Sequence, residues 1–325
     1  MKIIVDAMGG DNAPKAAAEG SMLAVKKLGV EIILTGKKEQ IKRYLTDDKN
    51  IAVVETSQMI TNDDEPAKAV RAKPDSSMLK GLAMVAAQEG DAFVSAGNTG
   101  ALVAGATLIV KRIKGIRRVA LAPIIPAGGR PVILIDGGAN VDCTPEMLGQ
   151  FGIMGSIYSS AVFGVEKPAV GLLNNGTEHS KGNKAAAEAY ELLSELPINF
   201  AGNIEGRDVL SGKVDVLVAD GFVGNILLKS IEGTALYFAS NLKQMLTKNI
   251  ATKISAVILK GGLSEFKKKF DYNEHGGAPV LGANAAIIKA HGSSKEVAFY
   301  NAIRQAKSFC EAEAIKAITN LVKNS

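Results

Sequence analysis

The sequence predicts an α/β fold, a doubly wound and mostly parallel sheet with helices on both faces. Three observations predict it. Short runs of Val, Ile and Leu recur along the 325 residues, with Ala-rich stretches of helical spacing between them. Most of those runs end in small, polar, glycine-rich turns. Trp is absent and aromatic residues make up 5%, so the core is aliphatic, as suits parallel strands buried on both sides.

The runs that read as strands are 2–6, 31–35, 51–54, 91–95, 132–136, 169–173 and 214–219. Stretches such as 14–28 and 184–196 have the apolar spacing of helices that cover such a sheet. No Pro- or Ser-rich linker, low-complexity tract or internal repeat divides the chain, so residues 1–325 read as a single domain. Windows 92–110 and 147–165 carry no charge over 19 positions, yet both are interrupted by Gly and polar residues. A strand running into a buried helix accounts for the first better than a membrane span does. Asp6 cuts the N-terminal apolar run short of a signal-peptide core. The sparse cysteines, Cys143 and Cys310, fit a reducing compartment and match no metal or disulfide spacing.

The formal charge of +5 is concentrated in one place. Residues 241–270 hold seven Lys against one Glu, and the rest of the chain sums to −1. This is a local feature and not a nucleic-acid coat. Within it, Leu242, Met245, Leu246, Ile250, Ile254, Val257 and Ile258 share one helical face, with Lys243, Lys248, Lys253 and Lys260 around them. A break at Gly261-Gly262 and resumption over Leu263–Phe270 would make a basic amphipathic helical hairpin. Such a surface suits an anionic membrane or an acidic protein. The spacing of Gly149, Gly152 and Gly155 suggests close helix packing at a subunit interface.

Five strand ends carry the chemistry: Met8-Gly9-Gly10-Asp11, Ser95 to Ala101, Asp136 to Asn140, Asn174 to Thr177 and Asp220 to Asn225. In a parallel sheet such turns gather at one edge, where ligands bind. Backbone N–H groups at Gly turns and helix starts then suit phosphate and a developing oxyanion. G-x-G-x-x-G, G-x-x-x-x-G-K-[ST] and G-x-S-x-G are all absent, and His179, His275 and His291 have no metal-ligand spacing. No metal, cofactor or covalent nucleophile is expected.

Val5 to Asp11, Ser95 to Ala101, Gly202-Asn203-Ile204-Glu205-Gly206-Arg207-Asp208, Asp220 to Asn225 and Lys289-Ala290-His291-Gly292-Ser293-Ser294 occur in that order. Together they resemble the phosphate acyltransferases of bacterial phospholipid synthesis, from the first strand to about residue 310. The resemblance implies a homodimer with a fold like the isocitrate and isopropylmalate dehydrogenases. It implies transfer of a fatty acyl group from acyl carrier protein to inorganic phosphate, and an acyl phosphate consumed by a membrane glycerol-phosphate acyltransferase. A cytoplasmic enzyme bound peripherally to the membrane through 241–270 follows. The chain departs from the family at Asn12, where many members have His, at Asn175 and at Cys143.

Lys181, in Ser180-Lys181-Gly182-Asn183, is expected to contact the phosphate or accept its proton. Asn225 is expected at a helix start as an oxyanion donor or a cap, and His291 as a catalytic or a structural histidine. Asp6, Gly9, Gly10, Asp11, Asn98, Thr99, Gly100, Asn140 and Gly224 are candidates for the phosphate site, with Asp6 and Asp11 either positioning donors or capping the first helix and Asn98 and Thr99 either donors or caps. Arg207 is another, through a bidentate guanidinium, unless it only ties down its own loop. Cys143 has no base nearby and is a poor nucleophile. Chain length of the acyl group is not legible, so a short-chain acyl-CoA phosphotransacetylase remains the rival, ahead of a nicotinamide-dependent dehydrogenase and a non-catalytic membrane adaptor.

Overall fold

A computed structural model describes residues 1–262 and 276–324. The strands are β1 (Lys2–Asp6), β2 (Glu31–Gly36), β3 (Ile51–Glu55), β4 (Ala92–Ser95), β5 (Ala120–Leu121), β6 (Ile124–Ile125), β7 (Val132–Ile135), β8 (Ala169–Asn174), β9 (Asn199–Glu205), β10 (Val216–Val218), β11 (Ala278–Leu281) and β12 (Ala286–Lys289). The helices are α1 (Lys15–Leu28), α2 (Lys38–Lys42), α3 (Pro66–Ala72), α4 (Ser77–Ala86), α5 (Thr99–Gly105), α6 (Pro145–Phe163), α7 (Lys184–Glu195), α8 (Gly221–Thr247), α9 (Ile250–Ile258), α10 (Glu296–Glu311) and α11 (Ala314–Asn324).

These strands form two sheets. The first has the order β3-β2-β1-β4-β12-β11-β5, and the second β6-β7-β10-β8-β9. Both are parallel at their centres, with Ile3 opposite Ile32 and Ala92, and Val216 opposite Ile133 and Val170. Antiparallel pairs lie only toward one side of each, at β11 with β12 and β5, and at β6 with β7. One extended run joins the sheets: β5 belongs to the first, β6 to the second, and Ala122-Pro123 lies between them. Ala122 N–H donates to Pro279 O at 2.9 Å, while Pro123 O accepts from Leu134 N–H at 3.0 Å.

Central strand residues such as Ile3, Ile4, Phe93, Leu134 and Leu217 are fully buried, as two-sided helical cover requires. Each such side chain contributes about 2 kcal/mol by leaving water. Helix starts are marked by side-chain caps: Asn98 on Ala101 N–H at 3.0 Å, Asn183 on Ala186 N–H at 2.9 Å and Asp220 on Val223 N–H at 2.7 Å. Tyr158 of α6 meets Phe309 of α10 edge-on, ring centroids 5.1 Å apart, and so ties the helices of the two sheets together.

Two expectations about helices change. Gly149, Gly152 and Gly155 pack inside the chain, against Leu192 and Leu196, Leu193 and Val170, and Val216 and Ile135 respectively. The small residues therefore let α6 approach α7 and the second sheet, and they are not a subunit contact. In the basic window the helix breaks at Lys248-Asn249, ahead of Gly261-Gly262, both of which are helical. Asn249 forms a capping box there, its Oδ1 accepting from Thr252 N–H and its own N–H donating to Thr252 Oγ1. A capping box specifies a new helix start more strongly than two glycines specify an end. The expected resumption over 263–270 lies outside the described residues.

Of the 27 residues of α8, only Gly221 and Gly224 are buried, and none of α9 is. Leu236, Tyr237, Phe238, Ile250, Val257 and Ile258 stand exposed, Ile258 at 79%. Among the described residues no helix is long and apolar enough to cross a membrane.

Candidate active site

The C-terminal edge of the first sheet holds two buried titratable residues, Asp6 and Lys289. Asp6, the last residue of β1, is 1% exposed, and its carboxylate accepts from Met8 N–H at 3.1 Å and from Ser95 Oγ at 2.7 Å. Ser95 Oγ in turn accepts from Gly97 N–H at 3.0 Å, so one carboxylate orders the turns after β1 and β4. Burial raises the Asp6 pKa, and these hydrogen bonds oppose the rise. Gly9 is required by the approach: a Cβ there would lie 2.6 Å from both Asp6 Oδ2 and Gly97 N. Lys289 ends β12 and is 8% exposed, its Nζ donating to Ala96 O at 3.4 Å and to Ala290 O. Burial brings its pKa down to about 8, against the pull of Asp6 and Asp11.

The loop after β12 is clipped to the loop after β1. Asp11 N–H donates to Gly292 O at 2.8 Å, and Asn12 Nδ2 donates to Ser293 O and Ser294 O at 3.1 and 3.3 Å. Gly10 and Gly292 face each other across this clip. His291 Nδ1 lies 2.8 Å from Ser293 Oγ and accepts from Ser293 N–H at 3.2 Å. A backbone N–H can only donate, so the neutral ring carries its proton on Nε2. Burial, with Lys229 as the next cause, lowers the His291 pKa and favours that neutral form.

The second sheet contributes a matching turn. Asp136, directly after β7 and fully buried, accepts from the N–H groups of Leu121, Gly138, Ala139 and Asn140 and from Asn140 Nδ2. Its pKa is raised by burial and held back by these donors. Asn140 passes the order on: Nδ2 also donates to Val119 O at 2.8 Å, and its carbonyl accepts from Gly221 N–H at 2.7 Å. Helix α8 thus begins on the Asp136 turn. A Cβ at Gly224 would lie 2.0 Å from Asp136 O, so only glycine permits that contact. Asn225 is exposed beside Gly138 in the first turns of α8, while the helix is capped by Asp220. From this start α8 runs toward the first sheet, where Lys229, paired with Glu232 at 2.7 Å, acts electrostatically on both Lys289 and His291. Through Lys229, α8 links the Asp136 turn electrostatically to the loop after β12.

The other residues singled out in the sequence lie on their own loops and helix starts. Asn98 caps α5 and donates to Thr61 O and Asp64 O, at 3.2 and 3.3 Å, and Gly100 abuts Pro66. Thr99, half-buried, is the first residue of that helix. Lys181 lies on the loop after β8, half-exposed, its Nζ 3.9 Å from Glu178. That loop is held by Asn174 Nδ2 on Lys181 O and by Asn203 Nδ2 on Glu178 O, at 3.0 and 2.8 Å. Arg207 pairs with Glu205 at 2.7 Å and is largely exposed. Cys143 has its thiol pushed up to about 12, chiefly by burial and then by Asp136, so it is no thiolate near neutral pH. Among the described residues no three His, Cys, Asp or Glu side chains gather as a metal site.

Sequence reasoning missed Lys289 and Asp136 as site residues. Lys289 was legible only as the first letter of the Lys-Ala-His-Gly-Ser-Ser motif, because β12 is four residues long and ends in a charge. Asp136 had the same signal as Asp6, an aspartate closing an aliphatic run before Gly-Gly-rich sequence.

The fold defines a class, the doubly wound α/β proteins built on two mostly parallel sheets. A phosphotransacetylase from Streptococcus pyogenes has this fold at a TM-score of 0.63 and 18% identity, covering 97% of this chain and 94% of that one. A 4-hydroxythreonine-4-phosphate dehydrogenase from Klebsiella pneumoniae has it at 0.53 and 13%, covering 95% and 99%. At these identities the likeness is one of fold alone. A family profile described as "Fatty acid synthesis protein" matches residues 1–317. A phosphate acyltransferase of Thermoanaerobacterium thermosaccharolyticum is 49% identical over 98% of this chain and 96% of its own. One of Clostridium acetobutylicum is 49% identical over 98% of both. The chain belongs to this family of acyl-transferring enzymes, the phosphate acyltransferases of fatty acid and phospholipid synthesis.

Proposed function

We propose that the protein transfers a fatty acyl group from acyl carrier protein to inorganic phosphate and releases acyl phosphate and the free carrier thiol. The observation that carries the proposal is the placement of α8, which starts on the Asp136 turn and brings Lys229 into the field of Lys289 and His291. A small anion and a carbonyl can then meet between loops of both sheets.

An oxygen of monohydrogen phosphate attacks the thioester carbon, and the tetrahedral adduct collapses with loss of the carrier thiolate. The phosphate proton ends on that sulfur, so atoms and charge balance without a further reactant. Phosphate is already a nucleophile at neutral pH, and positioning accounts for most of the barrier the protein removes. The Gly9-Gly10-Asp11 turn and the Lys289 cation form the phosphate side of the cleft. Asn225 supplies an amide donor for the oxyanion, of a kind typically contributing about 3 kcal/mol. Neutral His291, with its proton on Nε2, is suited to meet the departing sulfur. Lys181, half-exposed and 3.9 Å from Glu178, turns from that carboxylate toward the bound phosphate. Asn98, Thr99 and Gly100 act through α5, and Arg207 through its own turn. The exposed apolar side chains of α8 and α9, ringed by lysines, suit a homodimer contact and a membrane surface. The protein then works in the cytoplasm at the bilayer, where a glycerol-phosphate acyltransferase takes the product.

The test is phosphate-dependent release of carrier thiol from long-chain acyl carrier protein, with the acyl phosphate trapped as a hydroxamate. Equal or faster turnover of acetyl-CoA would instead establish a short-chain phosphotransacetylase.

A further inference from the structure

The segment between α5 and β5 reads Lys111-Arg112-Ile113-Lys114-Gly115-Ile116-Arg117-Arg118-Val119, so five cationic residues fall within eight positions. Its burial follows a period of three. Ile113, Ile116 and Val119 are buried, and all five cations are exposed. The apolar residues anchor the loop and the charges have nowhere to go but out.

The backbone beneath those charges is pinned from both sides. Gln150 of α6 donates through Nε2 to Gly115 O and accepts through Oε1 from Arg117 N–H, both at 2.8 Å. Asn284, in the β11–β12 turn, donates through N–H to Lys111 O and through Nδ2 to Arg112 O, both at 3.0 Å. Ile113 N–H donates to Gly282 O at 2.9 Å. Arg112 also donates to Arg117 O. Among the described residues none of the five cations forms an ion pair, although Arg117 lies within electrostatic reach of Glu146. A held backbone with uncompensated charges is a preorganised surface for an anionic partner.

We infer that residues 111–118 are the docking surface for the acidic acyl carrier that delivers the thioester. The inference rests on the donor proposed above and adds where that donor sits. Position supports it: Val119, the next residue, has its carbonyl held by Asn140, which holds Asp136 and the start of α8. A carrier on this loop stands next to the Asp136 turn and the start of α8. The chemistry favours a carboxylate-bearing protein over a lipid surface. Ile113, Ile116 and Val119 are buried, so the loop has no apolar wedge to insert, unlike α8 and α9. Its three guanidiniums suit bidentate pairing with carboxylates. An open recess of about 290 Å³ lined by Thr107 and residues 111–116, with exposed Leu108 nearby, leaves room for a partner's side chains.

The test compares the wild type with the triple variant R112E/K114E/R117E and the single variant K114E, whose backbone anchors are untouched. Donors are long-chain acyl carrier protein and the corresponding neutral acyl-pantetheine. For the triple variant, KM for the carrier thioester rises at least about tenfold at unchanged kcat, and K114E shows a smaller rise in the same direction. Turnover of acyl-pantetheine stays within about twofold, and the salt dependence of the wild-type carrier KM is lost. Where acyl-pantetheine is too poor a donor to follow, equilibrium binding of the carrier without phosphate decides the same point. Equal losses on both donors, or no loss on either, overturn the inference. So does unchanged carrier kinetics with lost binding to phosphatidylglycerol vesicles, which would make the loop a membrane contact. A wild type that uses acyl-pantetheine and ignores the carrier overturns the donor itself, and is distinguishable from all of these.

Discussion

Replacing Lys289 by methionine removes a buried cation within electrostatic reach of Asp6 while keeping the length of the side chain. Burial has lowered the lysine from 10.5 to about 8 in the fold. At about 1.4 kcal/mol per pKa unit, keeping it charged costs the native state about 3 kcal/mol. The sign follows from proton uptake. Between pH 8 and 10.5 the unfolded chain holds the lysine proton and the native chain does not, so stability rises with pH across that window. The benefit is complete above 10.5 and is lost as pH falls through about 8. Methionine abolishes this slope, so the difference between wild-type and variant stability should change by about 3 kcal/mol from pH 8 to 10.5. The assay is urea unfolding of both proteins at half-unit pH steps. At neutral pH the variant also leaves the Asp6 carboxylate without its counter-charge, which raises its pKa further and disorders the turns it holds. Turnover should fall about a hundredfold, and KM for phosphate should no longer climb as pH rises past 8. Parallel stability curves, with wild-type turnover in the variant, would refute the claim that this lysine is buried and charged beside Asp6.

Three further outcomes are expected. Gly224→Ala puts a methyl 2.0 Å from Asp136 O, so α8 must shift by more than 1 Å; unfolding measurements should show a loss of about 1–3 kcal/mol, and kinetics a loss of turnover on the order of a hundredfold. Lys181→Ala should lower acyl-phosphate formation by orders of magnitude with the melting temperature unchanged, and near-wild-type turnover would remove it from the mechanism. Changing Ile254, Val257 and Ile258 together to Gln should abolish flotation with anionic liposomes while the fold is retained, because these side chains are exposed and support no core; undiminished flotation would refute insertion by α9.

Most strands that the sequence disclosed are buried on both faces, the edge strand β3 being the exception. All seven aliphatic runs contain a strand of the structure, because nothing but a sheet core absorbs Lys2–Asp6 or Val132–Ile135. The five strands it concealed are short or mixed: β5 and β6 have two residues each, β11 and β12 four each with a Pro in one and a Lys ending the other, and β9 reads Asn-Phe-Ala-Gly-Asn-Ile-Glu. At the candidate site, glycine-rich turns marked the strand ends, and Asp6, Gly9, Asn140 and Gly224 were visible because they close or follow strands. The role of Lys289 was not, since its depressed pKa arises from burial beside a residue 283 positions away, a proximity no local pattern carries. Asn225 looked like a helix start, but the cap is Asp220, five residues earlier, where the carboxylate reaches Val223 N–H. The basic loop at 111–118 has no signature in the sequence beyond its charges, and only the structure separates lysines on an apolar helix from cations on a pinned loop.

The central claim, that turns of both sheets meet over one phosphate, is tested most directly by a crystal structure of the protein grown with inorganic phosphate and a non-hydrolysable acyl-pantetheine analogue. The account predicts phosphate held by the Gly9-Gly10 turn and Lys289 on one side, with Asn225 and the Asp136 turn facing the analogue's carbonyl on the other. Phosphate bound by loops of a single sheet, with the analogue's carbonyl outside the cleft, would contradict it.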